Sequence, residues 1–297
     1  LLLGLLNAAF LFYGDILVVY SLLGSLLYLF RDTEPRALRR WAFGFYALQI
    51  VIVLLLLLGT LVLNLPDNAA MLREALAETA QVTDQRVAGF SASGFFAVAG
   101  VRFGVWADDF AFFIALQGLG AAAFILYGLY ASRVGLFDDL DAPRWSRARR
   151  IHLPLGVLLA GVGGWLMVGS AHERELAFVF GTVLIVVGSP FSTMGYLGLL
   201  AAWLRRGASP IRDFLGRAGG ASLTAYLLQG LLLSWVFSGY GLGLVGKLSV
   251  AAYVPIGAAA ALASLLFVGI WRKRHEWAPV EMLLRRWVYL GRRAPPA

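Results

Sequence analysis

Residues 41–63 and 248–271 each run for more than twenty positions without a charged side chain. At about 1.5 Å of rise per residue, a helix of that length crosses a hydrocarbon layer of about 30 Å. Such stretches read as spanning helices, and the whole chain shares their character. It is 60% hydrophobic and 14% charged, with a mean hydropathy of +0.77; a soluble domain is about half apolar and about a quarter charged. The predicted fold is therefore all-α: a polytopic, multi-pass transmembrane helix bundle of about eight hydrophobic segments.

The segments fall at about 1–13, 16–30, 42–63, 110–131, 151–170, 176–203, 218–238 and 248–271. Lys and Arg accumulate in loops on the cytoplasmic side, which gives the orientation. Loops 31–41, 132–150 and 204–217 and the tail from 272 onward hold 20 of the 25 basic residues. The remaining five are Arg73, Arg86, Arg102, Arg174 and Lys247. Stretch 87–106, apolar except for Arg102, is a rival ninth span. An odd crossing there would split the arginine-rich loops between two compartments, so 64–109 reads as one extracytoplasmic excursion. It opens with an amphipathic surface helix over 66–80, followed by a Gly- and Phe-rich interfacial or re-entrant part. The domain reading is a bundle over 1–271 and a cytoplasmic basic amphipathic tail over 272–297. The first segment begins inside an apolar run without Met and reads as the stub of a longer helix. It lacks the basic start and cleavage site of a signal peptide.

The net charge of +8 lies between apolar segments rather than on one folded face, so no nucleic-acid partner is expected. The expected partners are the lipid bilayer, anionic lipid at the tail, and a small-molecule or lipid-linked substrate. With no cysteine, disulfides and thiolate metal sites are excluded. His172 with Glu173 and Glu175 is too weak a ligand set to predict a metal.

An ionisable group at membrane depth is a functional candidate. Asp15, in Tyr13-Gly14-Asp15-Ile16-Leu17, lies near the outer surface, where Gly14 permits a tight turn. Asp15 can cap the helix that follows, or serve as a ligand or proton-transfer group. Ser222, Tyr226 and Gln229, spaced by four and three, share one helix face for interhelical bonding or for lining a cavity. His152 and His172 are the histidines considered as a catalytic base. Gly239-Tyr240-Gly241-Leu242-Gly243 reads as a flexible outer turn, and Gly188-Ser189-Pro190 as a kink or a break in the sixth segment. In the tail, Pro279 starts a predicted amphipathic helix along the inner surface, in which Glu281 can pair with Arg285 four residues on.

Three stretches carry a family resemblance. They are Gly4-Leu5-Leu6-Asn7-Ala8 leading to Gly14-Asp15-Ile16-Leu17 with Tyr20; Leu215-Gly216-Arg217-Ala218-Gly219, then Leu223-Thr224-Ala225-Tyr226-Leu227-Leu228-Gln229 and Tyr240-Gly241-Leu242-Gly243-Leu244; and Ala278-Pro279-Val280-Glu281 with Arg285. In these the chain resembles the DUF418 (YeiB-like) bacterial inner-membrane proteins, which are grouped with membrane acyltransferases. The resemblance implies a further N-terminal part, with an early Arg-Gly segment. Three positions depart from the pattern: Asn7 stands where similar proteins often have His, Ala225 where they have Asn, and Gly230 where Ser is common. Each departure weakens an acyl-histidine mechanism.

The functional expectation is a membrane-embedded acyltransferase that moves an acyl group from a cytoplasmic thioester such as acyl-CoA to an extracytoplasmic or lipid-linked acceptor, with no bound cofactor. In it Asp15 orients or deprotonates the acceptor, Asn7, Ser222, Tyr226 and Gln229 line the cavity, and Arg217 meets donor phosphates. The alternatives are a transporter or exporter of a small amphipathic compound, and a membrane scaffold whose inner tail recruits a partner.

Overall fold

The computed structural model describes residues 1–290. Arg292, Arg293 and the 294–297 end, counted above with the tail, lie outside the described residues. Among these the chain is helical, with no strand: α1 (Leu2–Phe10), α2 (Leu17–Leu27), α3 (Pro35–Leu63), α4 (Ala69–Phe90), α5 (Phe95–Phe113), α6 (Leu119–Arg133), α7 (Pro143–Arg147), α8 (Leu153–Gly169), α9 (Leu176–Leu204), α10 (Pro210–Gly219), α11 (Ser222–Phe237), α12 (Val250–Trp271) and α13 (Pro279–Val288).

All eight apolar segments are helical. Five stretches are long and apolar enough to cross a membrane: Pro35–Leu63, Phe95–Arg133, Pro143–Gly169, Leu176–Leu204 and Ala251–Trp271. Counting α10 and α11, bent by 79° at their junction, as one span makes six. With nine and eleven residues, α1 and α2 are too short to cross alone. Large apolar side chains point outward, Trp165 at 74% and Val168 at 81% exposure among them, as an apolar solvent requires.

The Gly- and Phe-rich stretch before residue 110 is not a separate loop element. It is helical from Phe95, and α5 continues through a π-helical turn, Ile114–Gly118, into α6 as one helix of 39 residues. That is about 58 Å of helix, nearly twice one crossing.

The chain divides into two compact units, 1–18 with 83–108 and 208–297, and 19–82 with 109–207. In the first, small residues let backbones meet: Ala218, Ala221, Val268 and Ala278 form a buried cluster at the α10–α11 bend, with Trp271 packed against it. The tail helix is tied to this core by a reciprocal cap. Glu281 accepts from the Thr224 backbone N–H at 3.0 Å and from its hydroxyl, while Thr224 Oγ1 accepts from Val280 N–H at 3.0 Å. Glu281 thus spends its carboxylate on a long-range cap, a role that the i, i+4 pairing with Arg285 did not anticipate. The Gly-rich segment after α11 is pinned rather than flexible. Gly239 N–H donates to Phe90 O at 2.8 Å, Gly241 and Gly243 both donate to Ser238 O, and Gly243 sits at φ 63°, where a side chain would be strained.

In the second unit, α8 and α9 pack through a glycine seam, Gly156 and Gly163 against Gly181, Gly188 and Gly195. A Cβ on Gly163 would stand 2.6 Å from Gly181 O, so the two backbones approach as only glycine allows. Helix α9 runs unbroken through Pro190. Proline has no N–H to give Val186 O, one turn back, and the Tyr46 hydroxyl donates to that carbonyl instead. Gln49 performs a similar repair on α3, donating at 2.6 Å to Leu116 O within the π turn.

Candidate functional site

The first unit holds a buried polar knot around Asp15, which is 1% exposed. Its Oδ2 accepts from Val18 N–H at 2.8 Å and so caps the first turn of α2; its Oδ1 accepts from Asn7 Nδ2 at 2.6 Å. The Tyr226 hydroxyl, from α11, lies 3.5 Å from Asp15 Oδ1 and Asn7 Nδ2 and accepts from Ile16 N–H at 3.4 Å. Gly4 makes room for the carboxylate, since a Cβ there would stand 2.9 Å from Asp15 Oδ2. Asn7 Oδ1 is enclosed without a hydrogen-bond partner among the described residues, and a Cβ on Gly230 would lie 3.6 Å from it. A serine at 230, the residue common in similar proteins, would reach that oxygen. Of the predicted residues, then, Asn7, Asp15 and Tyr226 converge. Ser222 is exposed at the start of α11, Gln229 is partly buried on the same helix, Arg217 stands in the last turn of α10, and His172 belongs to the other unit, in the turn between α8 and α9.

Sequence reasoning passed over Arg102, which counted only toward the charge balance. It is 3% exposed on α5, and its hydrogen-bond partners among the described residues are neutral groups far away in sequence. Nη1 donates to Phe10 O at 2.7 Å and Nη2 to Ser234 Oγ at 2.7 Å and to Ser238 Oγ, with Tyr240 Oη 3.3 Å from both nitrogens. Phe10 is the last residue of α1, so the guanidinium meets the negative end of a helix dipole. Burial pushes the Tyr240 phenol up, but its bonds to Ser234, Arg102 and Ser238 and the Arg102 charge outweigh that and hold it below the ordinary tyrosine range. The signal available in the sequence was a lone arginine in an otherwise apolar twenty-residue stretch.

The second unit contains a cavity of about 840 Å³, walled mainly by apolar side chains from α3, α6 and α9, including Ile50, Phe124, Phe191 and Leu197. Its size falls in the range of small-molecule sites. His152 lines it from a second π-helical turn, Ala148–His152, a rare conformation that recurs at functional sites. The imidazole Nδ1 is enclosed without a hydrogen-bond partner among the described residues. His152 is the one histidine among the lining residues.

Together these features define a helical membrane protein with a buried polar knot in one unit and an apolar cavity in the other. The chain belongs to the DUF418 family, described as "Protein of unknown function (DUF418)", whose model matches residues 131–291. It is similar to the uncharacterized protein YxaH of Bacillus subtilis (strain 168), with 24% identity over 303 aligned residues, covering 98% of this chain and 70% of that protein. No solved structure matches the chain.

Proposed function

We propose that this protein is a membrane-embedded acyltransferase that seats the acyl chain of a thioester donor in the cavity of the second unit. The observation that supports it is the pairing of an apolar slot of acyl-chain character with one histidine in its wall. In this reading His152 is the general base. Its imidazole takes the proton of an acceptor hydroxyl, the oxygen attacks the thioester carbonyl, the C–S bond breaks, and the departing thiolate receives the proton from the imidazolium. No acyl-histidine is required, in keeping with Asn7 at the position where similar proteins often carry His. Asp15, with both oxygens engaged, acts as a positioning residue that holds α1 to α2.

The test uses purified full-length protein in detergent with palmitoyl-CoA. Turnover to acyl product or free acid is expected, and His152→Gln should lower it by at least about a hundredfold, the ordinary contribution of a general base, with an unchanged melting temperature. Gly128 lines the cavity, and a Cβ there meets nothing within 4 Å. Gly128→Phe should therefore fill the slot and shift preference to shorter acyl chains. Palmitoyl-CoA left intact by a folded protein would defeat the reading; accumulation of an unchanged amphipathic solute in proteoliposomes would then favour transport.

A further inference from the structure

We infer that α13 is a membrane-surface helix: its outward face enters the lipid leaflet beside the ends of α11 and α12, and the basic residues around it select anionic phospholipid. Leu283 and Trp287 stand four residues apart on one side of the helix, and Leu290 follows just beyond its end. They are 62%, 56% and 79% exposed. A different side is held to the bundle. Ala278 lies in the buried cluster with Ala221 and Val268, Val280 N–H and the Glu281 carboxylate bond to Thr224, and Leu284 is partly buried. That attachment sets the depth of α13, because Thr224 is in the first turn of α11 and Trp271 ends the α12 span. Helix α10 leaves the same end of α11 at 79°, so the chain there already runs crosswise to the span.

The basic residues gather at this end. Arg272 Cζ lies 5.8 Å and Arg285 Cζ 4.6 Å from the centre of the Trp277 ring, which brings the turn 272–274 against α13. Lys273, Arg274 and Arg286 are exposed, against one exposed carboxylate in the tail, Glu276, because Glu281 is spent on Thr224. Clustered large apolar side chains turned away from the core mark a contact surface. Beside the end of a span, the contact of matching chemistry is the lipid interface: the indole suits the headgroup level, the leucines the acyl boundary, and the cations the anionic headgroups. A second copy matches less well, since a two-fold contact through this face would set the same cations against each other.

This surface does not depend on the acyl-transfer reading, and no acyl donor enters its test. The chain has no cysteine, so Leu283→Cys and, separately, Leu290→Cys each carry a single fluorophore on the full-length protein. The labelled proteins are placed in nanodiscs of phosphatidylcholine, with or without phosphatidylglycerol, and quenched from the leaflet by a spin-labelled lipid or from water by iodide. Both labels should be quenched by the lipid and shielded from iodide, at least about twofold more strongly when phosphatidylglycerol is present. Replacing Lys273, Arg274 and Arg286 together by Ala, all at exposed positions, should erase the advantage of phosphatidylglycerol, and so should high salt. Arg36→Ala, which removes an exposed arginine of the 31–41 loop, should keep it. Labels open to iodide in both kinds of disc overturn the inference. Shielding from iodide without quenching by the lipid also overturns it, since that is the pattern of a second copy or a bound protein. Equal quenching with and without phosphatidylglycerol overturns the selection of anionic lipid.

Discussion

At the scale of single residues, burial decides which charges matter. Arg31 and Asp32 form an ion pair at 2.9 Å, but their side chains are 54% and 85% exposed. Such a pair is worth about 0–1 kcal/mol, so Asp32→Asn should leave the melting temperature in detergent unchanged. Arg102 is the opposite case, since its removal strips Phe10 O, Ser234 and Ser238 of a buried charged donor. Arg102→Met should destabilise by roughly 3 kcal/mol, the scale of bonds to a charged group lost in a buried setting. Arg102→Lys should recover part of that, because an ammonium can satisfy some of the same oxygens. A melting temperature equal to wild type in Arg102→Met would show that these bonds are not held in solution. Asp15 and Asn7 were legible in the sequence as polar groups in apolar surroundings. Arg102 was equally visible, but its meaning was not, because its partners are supplied from 92 to 138 positions away.

At the scale of elements, the contacts that fix helices are mostly backbone approaches and repaired carbonyls. Gly181 and Gly164 separate these effects. A Cβ on Gly181 would stand 2.5 Å from Gly163 O, whereas one on Gly164 meets nothing within 4 Å. Gly181→Leu should therefore force α8 and α9 apart, costing about 1–3 kcal/mol or more, and lower the yield of monodisperse protein on gel filtration. Gly164→Leu on the open face should match or exceed wild type, since leucine is also the better helix former. Equal behaviour of the two variants would count against the glycine seam. Periodic hydrophobicity marks α8 and α9 as helices and the glycines as small, but it does not say which glycines face a neighbour. The same limit explains Pro190. The sequence marks a place where α9 must lose a hydrogen bond, and only the fold brings Tyr46 from α3 to restore it. The helix that begins at Phe95 is equally hard to read from the sequence, for a physical reason. Its mixture of Gly, Phe and one Arg lacks a clean period, and the buried face of α5 sets Arg102 among Val98, Ala99 and Val105, a charge on the face that a pattern of apolar residues alone would assign to the interior.

At the scale of the whole molecule, the arginine asymmetry makes one claim that geometry alone does not test, the orientation in the membrane. The chain has no cysteine, so each introduced thiol reports by itself. Single cysteines at Arg36, Arg206 and Arg274 sample three of the arginine-rich segments, and those at Ala70 and Ala171 sample the opposite loops. All five positions are in exposed classes, so poor labelling would not reflect burial. Loops rich in Lys and Arg are retained on the cytoplasmic side. A membrane-impermeant maleimide applied to intact cells should therefore label the cysteines at 70 and 171 and spare those at 36, 206 and 274 until the cells are opened. Labelling of 70 and 171 on opposite sides would place an odd number of crossings between α4 and the α8–α9 turn. The 39-residue helix Phe95–Arg133, together with Pro143–Gly169, makes that number two, one out and one back. Such a result would require a third crossing, made either by α4 or by α5 and α6 dividing at the π turn between them.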